Sequence, residues 1–421
     1  MVRTSGWNKW SLGKLVSETK TTIQTGPFGT VLSASEFVDY GIPVVSVREI
    51  REGFIRITDE TPCVTEETFS RLSKYSLSEK DIVFARKGSV DRSALIPGGR
   101  RKYFLGSDGI RIRFDQDAVV PELMLYIFQS PSTKQFLVQS AYGTTMAGLN
   151  EKILCSLEFH LPNTVTEQRD IAHILKDIDK QLVVIAEMID KKKTIKQGAM
   201  QELLTGKKRL PGFAKEWTTQ NIPDILQKQV GIKIGPFGSQ LKKEYLLDNG
   251  PYRVYGQENV YACNFSIGNR FLSRERFAQL QSCEIKEGDF LISTMGTIGK
   301  CAIVPAGIHK GIMDSHLIRL RIDKTKVLPE YLLHLFSEEL GYLRNQTSKL
   351  SVGGIMDGLS TKIVNSLVVR YPEDIHEQET IAEILSNMDA EIKALEQKLA
   401  KYHQLKQGMM QQLLTGKIRL V

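Results

Sequence analysis

Two stretches of the chain place apolar residues alternately four and three positions apart. Ile171, Leu175, Ile178, Leu182, Ile185 and Ile189 make one series, and Ile381, Leu385, Met388, Ile392, Leu395, Leu399 and Tyr402 make the other. This spacing sets every apolar side chain on one seam of an α-helix, the a/d pattern by which helices pair. Each series follows a proline and a Glu-Gln pair and stops at Thr205-Gly206 or Thr415-Gly416, where glycine suits the left-handed residue that closes a helix. Roughly 35 residues at about 1.5 Å each make either helix on the order of 50 Å long.

Elsewhere the periodicity changes. Short apolar runs such as "IPVVSV", "DIVFA", "IRIRF", "DFLIS" and "HLIRLRI" are separated by glycine turns, and "PELMLYIFQS" and "PEYLLHLFSEELGYL" read as helices. This mixture predicts compact domains of α/β (α+β mixed) class.

The two textures are written twice. "KQGAMQELLTGKKRL" (Lys196 to Leu210) and "KQGMMQQLLTGKIRL" (Lys406 to Leu420) agree at 12 of 15 positions. Pro162, Glu167-Gln168 and Ile171-Ala172 return as Pro372, Glu377-Gln378 and Ile381-Ala382. Further upstream "DIVFARKGSVDRSALIP" lies over "DFLISTMGTIGKCAIVP", and "TGPFGT" over "IGPFGS", with small shifts in offset. The chain is therefore an internal repeat whose helical parts agree closely and whose globular parts share a skeleton. The predicted order is a domain over residues 1–165, a helix over 166–210, a second domain over 211–374 and a second helix over 375–421. A seam partner is available to the second helix only if it runs back along the first. Two antiparallel helices with a pseudo-twofold relation are expected, one globular domain at either end.

Composition narrows the partners. With Lys+Arg 56 against Asp+Glu 48 the net charge is +8, which permits a polyanion without requiring one. Five scattered cysteines without CxxC spacing suggest neither disulfides nor zinc, and no run of about 18 apolar residues occurs. A cytoplasmic protein with no membrane span is expected.

Order, spacing and duplication together, with the "GPFG" loops and "LLTGKKRLPGF" closing the first helix, resemble the specificity subunit of type I restriction-modification systems. The resemblance covers nearly the whole chain. It implies two target recognition domains, each reading one half of a bipartite, gapped site in double-stranded DNA, and a helical spacer that sets the half-site separation. It also implies that the spacer docks two modification (methyltransferase) subunits, with restriction (ATP-dependent translocase/endonuclease) subunits completing the complex. No cofactor belongs to this chain on that plan; S-adenosylmethionine, ATP and Mg2+ belong to the partner subunits. No tandem four-residue insertion of the kind some members carry is present in the spacer.

Candidate DNA contacts follow from residue type. Gly26, Phe28 and Thr30 in "TGPFGT", and Gly235, Phe237 and Ser239 in "IGPFGS", form stiff turns that serve either the fold or a close approach to DNA. "ARKGSVDR" holds Arg86, Lys87, Ser89 and Arg92, whereas "STMGTIGK" holds Thr294, Thr297 and Lys300; the difference is what two unlike half-sites demand. Arg48 and Arg51 in "VREIREG", and Gln257 and Asn259 in "YGQENVYA", have side chains able to make paired hydrogen bonds with base edges or to serve a solvated loop. Arg101, in a basic run, and Thr144 and Thr145, in "YGTTMAGLN", complete the set.

Chemistry of its own is poorly supported. "MGTIGKCA" lacks the spacing of a phosphate-binding loop, Asp314-Ser315-His316 cannot align as a hydrolytic triad on one strand, and no Asn- or Asp-Pro-Pro segment occurs. The expectation is a non-catalytic DNA-recognition chain. The alternatives are a stand-alone DNA-bridging or regulatory protein, or the specificity chain of a methylation-only or type II system.

Overall fold

The run Ile82–Ala85 is apolar at every position because both of its faces are covered. In the computed structural model, which describes residues 6–29, 31–142, 148–350 and 359–420, Ile82 and Phe84 enter one core while Val83 and Ala85 enter another. Side chains alternate across a strand, so a strand between two cores cannot show polar alternation. Phe290–Ser293 repeats the device, with Phe290 and Ile292 in one core and Leu291 in the other.

The chain divides into two units, residues 1–186 with 397–421, and residues 187–396. In the first, a four-stranded antiparallel sheet runs Thr22–Thr25, Gly109–Arg113, Ile82–Ala85, Ser93–Leu95. A five-stranded mixed sheet runs Phe37–Val38, Cys63–Val64, Ile42–Val45, Tyr103–Leu105, Ser76–Leu77, with one parallel pair, Ile42–Val45 beside Tyr103–Leu105. The second unit has the same plan. Its antiparallel sheet runs Ile232–Ile234, Leu317–Leu320, Phe290–Ser293, Cys301–Ile303. Its mixed sheet runs Phe271–Leu272, Tyr252–Tyr255, Gly311–Met313, Glu284–Ile285, again with one parallel pair. In each unit a third, two-stranded sheet joins the ends: Trp7 stands opposite Pro162, and Trp217 opposite Pro372.

Buried polar residues hold this plan at matching positions. Asp81 accepts from the backbone of Ser78 at 2.7 Å and takes Nε and a terminal nitrogen of Arg113, both at 2.8 Å. Asp289 accepts from Lys286 at 2.8 Å and from Arg321 at 3.0 Å. The aspartates that open "DIVFA" and "DFLIS" are thus turn caps locked by an arginine. Gln168 accepts from the Val120 N–H and donates to the carbonyls of Ala118 and Pro162. Gln378 does the same with Leu328, Lys326 and Pro372.

The long helices are Val165–Leu203 and Ile375–Leu413, each of 39 residues. Gly206 and Gly416, at φ 69° and 67°, turn the chain out of them. Along the first helix Ile171, Leu175, Ile178, Leu182, Ile185 and Ile189 are buried. Along the second, Ile381, Leu385 and Ile392 are buried, and Met388, Leu395, Leu399 and Tyr402 are half-buried. The seam is not purely a contact between helices. Ile171 and Leu175 enter the core of the first unit together with Met410 and Leu413, and Ile381 and Leu385 enter that of the second with Met200 and Leu203.

Ion pairs fix the helix direction within each unit. In the first unit Glu167 pairs with Arg419 at 2.8 Å and Asp179 with Lys406 at 2.6 Å. Moving forward on one helix therefore means moving back on the other, which is antiparallel packing. In the second unit Arg209 pairs with Glu377 at 2.6 Å and Lys196 with Asp389 at 2.6 Å. The same four repeat positions are used in exchanged roles, so the Arg and Lys of each repeated phrase meet the Glu and Asp of the other copy. Arg419 and the Trp7 indole hold the Glu167 carboxyl below its usual range, chiefly through the arginine. Burial disfavours charge on Lys196, yet Asp389 and Glu339 together raise its pKa.

Candidate nucleic-acid interface

In the first unit the strand Ile42–Val45 runs into a turn held by Glu49, whose buried carboxylate accepts the Ser46 N–H at 3.0 Å. That turn presents Arg48 and Arg51, and the segment after it presents Arg56. A second loop joins the strands Ile82–Ala85 and Ser93–Leu95; Gly88 at φ 67° and the bond from Arg92 N–H to Ser89 O at 3.1 Å close it tightly. Together they bring Arg48, Arg51, Arg56 and Arg92 into one cleft of about 360 Å³, whose rim includes Glu60. Arg48 lies 3.4 Å from Glu60. Among the described residues Arg51, Arg56 and Arg92 have no ion-pair partner, and the Arg51 Nε is buried without a hydrogen bond. Unpaired guanidinium forks collected in one concavity suit a partner rich in hydrogen-bond acceptors.

The second unit rebuilds the same place with different side chains. Asn259 takes the position of Glu49 and accepts the Gly256 N–H at 2.9 Å. Its amide donates to the carbonyls of Asn264 and Ile267, both at 3.0 Å, and it is 1% exposed. It holds the loop and has nothing left to offer DNA. Tyr261 replaces Arg51 and ties the neighbouring loop: its hydroxyl accepts the Thr297 N–H at 3.1 Å and lies 2.9 Å from the Met295 carbonyl. Arg270 is spent on Glu258 at 2.6 Å and Asp314 at 2.9 Å, whose charges outweigh its burial and raise its pKa. Lys300 pairs with Glu338 at 2.7 Å. The arginines Arg51, Arg56 and Arg92 of the first unit's cleft have no ion-pair partner among the described residues, whereas Arg270 and Lys300 at the corresponding place of the second unit are both paired.

The remaining candidates divide. Gly26 and Gly235 are structural: a Cβ at Gly26 would lie 1.8 Å from the Gly106 carbonyl oxygen, and one at Gly235 1.7 Å from that of Asp314. Each leaves an aromatic ring in solvent, Phe28 at 57% and Phe237 at 65% exposure, and Arg86 sits 5.1 Å over the Phe28 ring. Lys87 pairs with Asp108 at 3.0 Å. Ser89 is half-buried beside Gly88. Ser239 and Thr297 are exposed, Gln257 is half-buried, and Thr294 is buried with its backbone bonded to His316 and Leu359. Arg101 is exposed in the segment before Tyr103–Leu105, outside the cleft. Thr30, Thr144 and Thr145 lie outside the described residues.

Sequence reasoning missed Arg56 and Glu60. The alternation in "FIRIT" carried a usable sign, since Ile55 and Ile57 are half-buried and Arg56 between them faces the opposite way. Two further arginines are structural: Arg111 is buried and donates to the carbonyls of Lys74 and Ser76, and Arg319 to that of Glu284. Among the described residues no helix is long and apolar enough to cross a membrane, and no cluster of three His, Cys, Asp or Glu residues could hold a metal.

A duplicated mixed α and β fold carries an arginine-lined cleft in one copy and different, internally paired side chains at the matching place in the other. Comparison with known proteins gives its family. The pattern of the type I restriction modification DNA specificity domain matches twice, over residues 27–197 and 214–404. The chain belongs to this family, as a specificity subunit carrying two such domains. The type I restriction enzyme MjaVIII specificity subunit of Methanocaldococcus jannaschii is 24% identical over 405 residues, covering 90% of this chain and 86% of that protein. The putative MjaX specificity subunit of the same organism is 23% identical over 393 residues, covering 90% and 88%. The crystal structure of the type I system S subunit from M. genitalium shares the fold, with a TM-score of 0.57 at 16% identity over 97% of this chain and 96% of that one. A chain solved in work on complex assembly and conformational transition of the type I system gives 0.55 at 16% over 98% of each. Specificity subunits of these systems recognise DNA and act within complexes with other subunits.

Proposed function

We propose that the two units read the two halves of a gapped, asymmetric site in double-stranded DNA, one half each. On this reading residues 1–165 and 211–374 are the recognition domains, and residues 166–210 and 375–421 are the spacer that fixes the gap. The chain selects and does not catalyse. Two modification subunits dock on the spacer and transfer methyl groups from S-adenosylmethionine to adenines flipped out of the duplex. Restriction subunits use ATP and Mg2+, and the assembly works in the cytoplasm.

The observation that carries this reading is the contrast within the repeat. Helix pairing is conserved down to the exchanged pairs Arg209–Glu377 and Arg419–Glu167, whereas the clefts differ in charge, Arg51 and Arg92 being replaced by Tyr261 and Lys300. A reader of a palindrome needs two like clefts; a reader of two different half-sites needs one frame and two clefts. A 39-residue helix is about 58 Å long at about 1.5 Å per residue. That exceeds one turn of B-DNA, about 34–36 Å, so a spacer of this length suits major-groove contacts separated by unread base pairs.

The test is coexpression with a candidate modification subunit, followed by genome-wide mapping of methylated adenines by single-molecule sequencing. A gapped, asymmetric motif from the full chain is the expected result, and exchanging residues 211–374 for those of another specificity subunit should change one half of it and leave the other. A short, ungapped motif, or none from the full chain, would return the stand-alone DNA-bridging reading.

A further inference from the structure

We infer that the arginine cleft of the first unit reads a G·C base pair on its major-groove edge, so the half-site read by this unit contains that pair at the position facing Arg51. The inference rests on the two-domain reading above and adds the chemistry of one position. Three observations carry it. Arg51, Arg56 and Arg92 converge on one cleft without an ion-pair partner among the described residues. A guanine edge offers the matching acceptors, O6 and N7, to a two-pronged donor. Glu60 stands on the rim of the same cleft, 3.4 Å from Arg48. A carboxylate there would repel a phosphate, whereas it can accept from the N4 amino group of the cytosine paired to that guanine. The buried Glu49 carboxylate accepts the Ser46 N–H through one oxygen at 3.0 Å and forms no ion pair with these arginines.

The second unit supplies an internal contrast. The position of Arg51 is held by Tyr261, whose hydroxyl is engaged by the 295–297 loop, and the nearby Arg270 is neutralised by Glu258 and Asp314. Among the described residues no free guanidinium fork stands at the equivalent place, so the requirement for G·C at this position belongs to one half-site only.

The experiment uses the full chain coexpressed with its modification subunits, as wild type, Arg51→Ala, Arg51→Lys and Arg92→Ala. Methylated motifs are mapped, and binding is followed against salt concentration on the cognate duplex and on one with the G·C pair replaced. Arg51→Ala and Arg51→Lys are both expected to relax one G·C position in one half-site, losing roughly 5- to 150-fold discrimination there, while the other half-site keeps its sequence. Lysine keeps the charge and loses the fork, so its failure to restore specificity marks base reading. Uniformly weaker binding with an unchanged motif, a salt slope smaller by about one and rescue by lysine would identify a phosphate contact and overturn the inference. An unchanged motif with unchanged binding also overturns it, as does a wild-type motif with no G·C pair in either half-site. In each of those cases a gapped motif from the wild type leaves the two-domain reading standing; only a wild-type complex without one sinks both. Thermal melting of each variant checks folding, and Arg51→Lys with Arg92→Ala carries the test if Arg51→Ala is unstable.

Discussion

Gln378→Met should loosen the junction between the second unit's globular part and its long helix, and the size of the effect can be worked from three bonds. The amide is fully buried; its oxygen accepts the Leu328 N–H at 2.8 Å, and its nitrogen donates to Lys326 O and Pro372 O, each at 2.8 Å. Methionine matches the length of glutamine and offers none of these bonds. Three backbone groups then lose their partner, Pro372 O in a buried bond and the Leu328 N–H and Lys326 O in part-buried ones, at up to about 1–3 kcal/mol each. Added apolar burial returns about 1 kcal/mol, so the net loss is about 2 kcal/mol at the least and centres near 3–5. For a unit of this size about 1 kcal/mol shifts the melting temperature by about 2–4 °C, giving a drop of roughly 4 °C or more. Two units need not melt together, so the assay should pair calorimetry with hydrogen exchange by mass spectrometry. Protection should fall across the strands Trp217–Asn221 and Val368–Pro372, whose register brings Trp217 opposite Pro372. Gln168→Met, with the same three bonds in the first unit, should move Trp7–Ser11 and Glu158–Pro162 instead. A loss below about 1 kcal/mol for both variants, or exchange that rises evenly over the whole chain, would refute the reasoning.

Other outcomes follow from the same contacts. Arg209→Ala and Glu377→Ala should each lower the melting temperature of the second unit, and the double variant should lose less than the two losses combined, because either change already breaks the pair; strict additivity in a thermal double-mutant cycle would rule out that coupling. His334, buried beside Ser386 and facing Asp389, Lys196 and Glu339, has its pKa lowered first by burial. The unfolded chain therefore holds the extra proton. This contribution to stability is full above about pH 6.5 and declines as the pH falls, and melts between pH 7.5 and 5.5 should flatten in His334→Tyr, which copies Tyr126 of the first unit. Gly26→Ala and Gly235→Ala force a methyl against a carbonyl oxygen at 1.8 and 1.7 Å; each should cost more than about 1–3 kcal/mol, read as lower soluble yield and earlier urea unfolding.

Much of this molecule is legible in its residues, and the failures have physical causes. The seam from Ile171 to Ile189 is visible because a helix repeats its faces every 3.6 residues, and local backbone geometry enforces that without help from distant segments. Asn259 misleads because an amide fits a base edge and a turn cap equally well; only the placement of Gly256, Asn264 and Ile267 around it decides between them. Arg111 and Arg113 look alike in "IRIRF", yet one is buried on backbone carbonyls and the other is locked to Asp81.

By itself the sequence determined the duplication, the two long helices and the alternation of cores and turns, because each rests on composition and short-range periodicity. Tertiary structure alone decided which arginines are free. Arg209 finds Glu377 across 168 positions of chain and Arg419 finds Glu167 across 252, whereas Arg51, Arg56 and Arg92 converge on one cleft and, among the described residues, form no ion pair. A charge is spent or available according to what stands within a few ångströms of it, and that distance exists only once the chain has folded.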